Sequence, residues 1–278
     1  MYAAAPLQKN LTTAKMANPD YFEEILMSQK VTESERKNYA GKIIVKVPDA
    51  VSKLAMEKAH QEIDNLPTWK FLNNGNQMQR VNIRAENVSR VFSTVTFDEN
   101  GKLSGTEDFD QDFAPNTESI NEMCKEALQS MGRKLNWKNF TVKVHCGVLR
   151  YIFTPAQQQI CNMPWHKDAS SLSMTTLLSP YIQKNNGFSG GALSFAEESD
   201  AKCVPVEETI KTFKYEKPGD SIIFNGLHKV EDMHVLDVLD VDELTKRPVE
   251  RRLLTCFAEL TEDYVRNLIA TLGEENLA

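Results

Sequence analysis

Hydrophobic positions in this chain change their period along its length. Residues 42–47 (KIIVKV) are dense in β-branched side chains and predict a strand. Pro48 and Asp49 then open a helix whose apolar residues, Val51, Leu54, Ala55, Ala59, Ile63 and Leu66, fall on one face. His60 lies beside that stripe and is expected to be a surface or packing residue. Residues 88–97 alternate as a strand does, and the turn sequence of residues 98–101 closes them. A second helix is expected over about 117–135, with Ile120, Met123, Cys124, Ala127, Leu128, Met131 and Leu135 along one side. Methionine in such a stripe marks core packing, so Cys124 reads as a buried structural thiol.

From Phe140 onward the period shortens. TVKVHCGVLRYIF, SMTTLLS, GGALSF, DSIIF and RRLLTCF are short runs rich in β-branched, apolar or aromatic residues, separated by turn residues. Serial short strands of this kind predict a sandwich, barrel or jelly roll rather than a parallel α/β sheet. A closing helix is expected to start at Thr261, with Glu262 and Asp263 in its first turn and Gly273 at its end. The expected organisation is a polar arm over 1–40, with a helical piece at 21–27, and a single domain over 41–278. Within that domain, 41–139 would supply helical and strand support, about 140–260 the β core, and 261–275 the terminal helix. No internal repeat or low-complexity segment interrupts this plan.

Composition narrows the function classes. With 41% hydrophobic and 26% charged residues the 278-residue chain has the make-up of a globular protein. A net charge of −7 with scattered Lys and Arg argues against nucleic acid as a partner. Apolar runs are strand-sized, so no membrane partner is expected. Five cysteines, odd in number and without a CxxC, suggest reduced thiols in a cytoplasmic setting rather than disulfides or structural zinc. The N-terminus has no apolar core of a secretory signal, although its lack of acidic residues before Asp20 leaves a weak transit peptide open.

Candidate chemistry begins at His166-Lys167-Asp168. Residues two apart on a strand point to one face, so this imidazole and carboxylate can reach one cation. An isolated HxD would arise by chance in roughly one such chain in four. Its setting is more specific. GVLRY, ending at Tyr151, precedes it; the run GFSGGALSF, ending at Phe195, follows. Then come KPGDSIIF, His228 with Val230 two residues on, and RRLLTCF from Arg251. This ordered set resembles the iron(II)/2-oxoglutarate dioxygenase superfamily, and the GGxL and PGD elements look most like its prolyl-4-hydroxylase-like branch. The resemblance covers about residues 140–260.

The resemblance implies a mainly β, α+β fold: a double-stranded β-helix, the cupin-like jelly roll, with flanking helices. It implies iron(II) held by His166, Asp168 and the distal ligand His228. Two imidazoles and one carboxylate on one face of an octahedral cation leave three positions open. In the family 2-oxoglutarate takes two of them and dioxygen the third. Tyr151 becomes a candidate donor to 2-oxoglutarate, and an arginine on the last strand a fork for its distal carboxylate. The family places that arginine about ten residues after the distal histidine, whereas Arg251 lies 23 after His228, which requires an insertion over about 231–250. Arg251 and Arg252 must face opposite sides of a strand. Arg251 is preferred, because Thr255 and Phe257 share its face as in relatives, and Thr255 joins it as a cosubstrate contact; Arg252 remains the alternative. His234 is the rival of His228, and His145 is expected in the core or behind a ligand.

The implied reaction is oxidation of an unactivated C–H bond by hydroxylation, desaturation or ring closure, with succinate and carbon dioxide released. A small molecule is the expected substrate. Two other readings are a jelly-roll binding module without a functional metal site and a metal-binding sensor without turnover. A zinc hydrolase is disfavoured by the absence of HExxH or a similar general-base arrangement. Gly190-Gly191 lacks the context of a phosphate loop and reads as a turn or a close strand approach. The acidic run 107–112 (EDFDQD) reads as a solvated loop. The inserted segment mixes aliphatic and acidic residues and could serve either as a lid or as a fixed helix outside the barrel.

Overall fold

The alternating runs pair into two antiparallel sheets. The computed structural model describes residues 43–65, 70–72, 84–89, 93–107, 118–153, 161–168, 170–179, 188–235, 249–261, 263–265 and 267–268. The first half of the chain contributes strands β1 (Ile44–Val47), β2 (Lys70–Leu72), β3 (Arg84–Ser89), β4 (Ser93–Phe97) and β5 (Leu103–Glu107). Helix α1 (Lys53–Asp64) follows β1, and helix α2 (Glu118–Lys134) follows β5. The second half supplies β6 (Phe140–Phe153), β7 (Cys161–Lys167), β8 (Leu172–Leu177), β9 (Phe188–Gly190) and β10 (Leu193–Ala196). It continues with β11 (Lys211–Phe213), β12 (Ser221–Phe224), β13 (Leu227–Val235) and β14 (Val249–Glu259).

The larger sheet has the order β1-β12-β8-β14-β6-β3-β2, with β4 also pairing β6 and β5. The smaller has the order β11-β10-β13-β7, with β9 on β13. From β6 to β14 the chain passes back and forth between the sheets, which is the winding of a double-stranded β-helix. Those strands lie within the span where the short runs predicted them. The first half adds to the same sheet, since β1 pairs with β12 and β3 with β6.

Period-two alternation divides the larger sheet into two faces. On β14, Leu254, Cys256 and Ala258 join Val142, Val144, Cys146 and the buried faces of α1 and α2 in one core. Leu253 faces the other way, into a second core with Leu177, Phe195, Phe224, Tyr215, Val230 and Met233. That second core fills the space between the sheets, where the candidate site lies.

Helix α1 starts at Ser52, whose hydroxyl accepts the Ala55 N–H at 3.2 Å. Its buried residues are Met56, Ala59 and Ile63, whereas Leu54 is 62% exposed. The predicted stripe holds at Ala59 and Ile63, whereas Leu54 lies outside the buried face and Met56 belongs to it. His60 donates from Nε2 to the Leu178 carbonyl at 3.0 Å, and its Nδ1 accepts from Arg252 at 3.0 Å. It is a packing residue that ties helix to sheet. Glu62 accepts the N–H groups of Ser119 and Ile120, both at 2.8 Å, and so caps α2. Helix α2 buries the predicted face, with Cys124 inside.

The expected strand over 88–97 is divided between β3 and β4, which pair with different parts of the long β6. Residues 263–265 and 267–268 are helical, and Thr261 accepts the Tyr264 N–H at 3.3 Å, as a helix start there requires. The arm at 1–40, nearly all of the acidic run 107–112 and the end of the terminal helix lie outside the described residues. Among the described residues no helix is long and apolar enough to cross a membrane.

Candidate metal centre

His166 lies near the end of β7, Asp168 one residue past that end, and His228 near the start of β13. These strands are antiparallel neighbours, and their register sets His166 directly opposite His228. The two imidazole centroids are 4.2 Å apart with planes at 53°. Lys167, between the ligands in sequence, points away and donates to Glu198 at 2.6 Å behind the site. One ligand atom from each of His166, Asp168 and His228 falls within 4.8 Å of the others, and among the described residues this is the group that can hold a cation.

The ring orientations follow from the backbone. His166 Nδ1 lies 2.8 Å from the Pro164 carbonyl and His228 Nδ1 lies 3.0 Å from the Gly226 carbonyl. A carbonyl only accepts, so each Nδ1 carries a proton and each Nε2 faces the shared centre. Each Nε2 stands 3.8 Å from an oxygen of Asp168, beyond hydrogen-bond reach. His228 is buried, with Phe224 4.6 Å away between ring centroids. Desolvation, with the nearby His166, pushes its pKa down to about 4 against the opposing pull of Asp168. It is therefore neutral, as a metal ligand must be. Two imidazoles held through Nδ1 by backbone carbonyls and a carboxylate on one side of a centre are a donor set that fits iron(II).

Arg251 is fully buried between the sheets and donates from Nη2 to the Gly191 carbonyl at 2.7 Å. Arg252 faces the other side and pairs with His60 and Asp64 on α1. Thr255 is buried on the Arg251 face, its hydroxyl donating to the Gly147 carbonyl at 3.1 Å. Tyr151 pairs in register with Arg251 across β6 and β14. His234 pairs with Ser189, six positions beyond His228 and about 20 Å farther along the strand. His145 is buried on the inner side, opposite Phe257 in register, with ring centroids 6.1 Å apart.

Gly190 and Gly191 have φ of +83° and +75°. A Cβ on Gly191 would come within 2.9 Å of the Met233 side chain and 3.1 Å of the Arg251 guanidinium carbon. The pair is a close strand approach, as its sequence context indicated. The predicted insertion is shorter than 231–250, because β13 runs through Val235 and β14 starts at Val249. Its remainder, 236–248, lies outside the described residues, and with it the lid expectation.

Sequence reasoning passed over Ser173, Thr175 and Tyr215. Ser173 donates to Asp168 Oδ2 at 2.5 Å, and the Thr175 and Tyr215 hydroxyls are 2.6 Å apart, buried between the sheets. A signal was present: LSMTTL places hydroxyls at alternate positions of a strand that is buried throughout. Polar groups at such positions need dedicated partners.

No protein-family model matches the chain, and no curated protein matches it. Among solved structures, the chain is similar to IDO from Bacillus thuringiensis at 11% identity and a TM-score of 0.49, over 86% of this chain and 95% of that one. It is similar to the Fe(II)/α-ketoglutarate-dependent dioxygenase TqaL at 15% identity and a TM-score of 0.42, over 88% and 90%. A prolyl-4-hydroxylase from Pseudomonas putida matches at 11% identity and a TM-score of 0.38, over 86% and 99%. The fold assignment stands on the strand order of the chain itself.

Proposed function

We propose that the protein is an iron(II)- and 2-oxoglutarate-dependent oxygenase acting on a small molecule. The observation that carries this reading is the convergence of His166 Nε2, His228 Nε2 and the Asp168 carboxylate, with both Nδ1 protons held by backbone carbonyls. Iron(II) held by these three groups would, with 2-oxoglutarate and dioxygen as co-reactants, supply the oxidation of an unactivated C–H bond, with succinate and carbon dioxide released. The remaining work falls to the chain. Arg251 offers a permanent charge in a dry setting to the distal carboxylate of the cosubstrate, and the Gly191 carbonyl fixes the plane of its guanidinium. Thr255 lies two strand rows closer to the metal end on the same face, and Tyr151 is in register with Arg251. Phe224 and Phe195 close the inner side around His228 and exclude water. Cys124, Cys146, Cys203 and Cys256 form no disulfide among the described residues, which suits a cytoplasmic, reducing setting.

The test is anaerobic addition of iron(II) followed by 2-oxoglutarate. A visible metal-to-ligand charge-transfer absorption is expected from the wild-type chain and not from His228→Ala. On admission of air, succinate should form. Absence of both signals from the wild-type protein would overturn the proposal.

A further inference from the structure

We infer that Ser173 is a positioning residue for the metal-binding carboxylate: its hydroxyl decides which oxygen of Asp168 is offered to the cation. This rests on the reading of His166, Asp168 and His228 as an iron site. Asp168 comes one residue after β7 ends, where the sheet ladder no longer holds the backbone. A carboxylate in that position needs an outside partner to stay in one orientation.

Ser173 is that partner and it belongs to the opposite sheet. It is 1% exposed, and its hydroxyl donates to Asp168 Oδ2 at 2.5 Å. A hydroxyl has one proton to give. With that proton on Asp168, the 3.0 Å contact between Ser170 and Ser173 must run from the Ser170 hydroxyl into the Ser173 oxygen. Donation into Ser173 polarises its own O–H and strengthens the bond to the carboxylate. The register sets Ser173 between Phe224 and Phe257, so of these three adjoining positions it alone can donate a hydrogen bond.

The consequence is chemical. Both carboxylate oxygens stand 3.8 Å from a ligand nitrogen, Oδ1 from His166 Nε2 and Oδ2 from His228 Nε2. Oδ2 already accepts the Ser173 proton, however, which weakens it as a donor and biases the cation toward Oδ1. A carboxylate binding through one oxygen occupies one coordination position instead of two. The others are then available to the cosubstrate and dioxygen.

Cobalt(II), whose ligand-field absorption reports coordination number, is the probe. It would be titrated anaerobically into the wild-type chain, Ser173→Ala, Ser173→Thr, Ser170→Ala and His228→Ala. Ser173→Ala is expected to weaken cobalt binding about tenfold or more and to alter the band pattern as the freed Asp168 oxygen joins the ion. The thermal midpoint of the metal-free protein should change little. Ser173→Thr, which keeps the hydroxyl, should retain both affinity and spectrum, and Ser170→Ala should shift both in the same direction by less. Should Ser173→Ala fail to fold, the Thr and Ser170 variants decide by the same criteria. Unchanged cobalt binding and spectrum in Ser173→Ala, or a loss that Thr does not restore, would overturn the inference while leaving the iron site standing. Cobalt binding that survives His228→Ala, or none in the wild-type chain, would bring down the iron-site reading itself and this inference with it.

Discussion

The imidazole of His228 is enclosed by Phe224 and Phe195, and desolvation together with His166 holds its pKa near 4. An unfolded histidine titrates near 6.5. Between those values the unfolded chain binds a proton that the folded chain refuses, so stability rises with pH. The contribution is complete above pH 6.5 and is lost as the pH falls to 4, an effect of roughly 3 kcal/mol. Urea unfolding of the metal-free protein should therefore show a falling midpoint over that window, and His228→Gln should flatten it; an unchanged slope would contradict the burial argument. The arginines divide by the same logic of surroundings. Arg251→Lys keeps the charge but loses the fork, and the KM for 2-oxoglutarate in a succinate assay should rise about tenfold or more. Arg252→Ala removes a partly exposed link to Asp64 and should cost about 1 kcal/mol of stability, with KM little changed. The reverse ranking would transfer the cosubstrate role to Arg252.

At the scale of elements, the junction of β9 and β10 joins backbone shape to the pocket. A Cβ on Gly190 would lie 1.8 Å from the Asp232 carbonyl oxygen, which no side-chain movement can relieve. Gly190→Ala should fold poorly or lose much of its thermal stability. A Cβ on Gly191 instead meets the flexible Met233 side chain and the Arg251 guanidinium. Gly191→Ala should stay folded, although its φ of +75° adds strain, and it should raise the KM for 2-oxoglutarate by displacing Arg251. Calorimetry beside the succinate assay separates the two variants; equal loss of stability with no KM change in Gly191→Ala would sever the link to Arg251. Helix periodicity was legible in sequence at Ala59 and Ile63, which are buried, but not at Leu54, which is exposed, or Met56, which is buried. Which side of α1 meets the sheet is a tertiary matter, and Arg252 with Asp64 and His60 with Leu178 are the polar contacts that tie the helix there.

For the whole molecule, a cation that binds only the folded chain must raise its stability by mass action, by about 2.7 kcal/mol at a hundredfold excess over Kd. Anaerobic iron(II) or manganese(II) should raise the thermal midpoint of the wild-type chain and leave that of His166→Ala unmoved. An equal rise in both would place the metal elsewhere. Alternation along the chain determined by itself where the short strands of the second half lie and that Arg251 and Arg252 face opposite sides. Both are local properties, fixed by the two-residue repeat of a strand wherever that strand goes. Tertiary structure decided what each face meets. His228 lies opposite His166, while His234 lies six residues on opposite Ser189, because β13 pairs with β7 and β9 in this register. Ser173 reaches Asp168 because the chain crosses from one sheet to the other between β7 and β8. The first half of the chain enters the same sheet through β1, where the Asn225 side chain accepts the Ile43 N–H at 3.1 Å across 182 residues. Register and sheet pairing depend on contacts between residues far apart in sequence, and no local period carries that information.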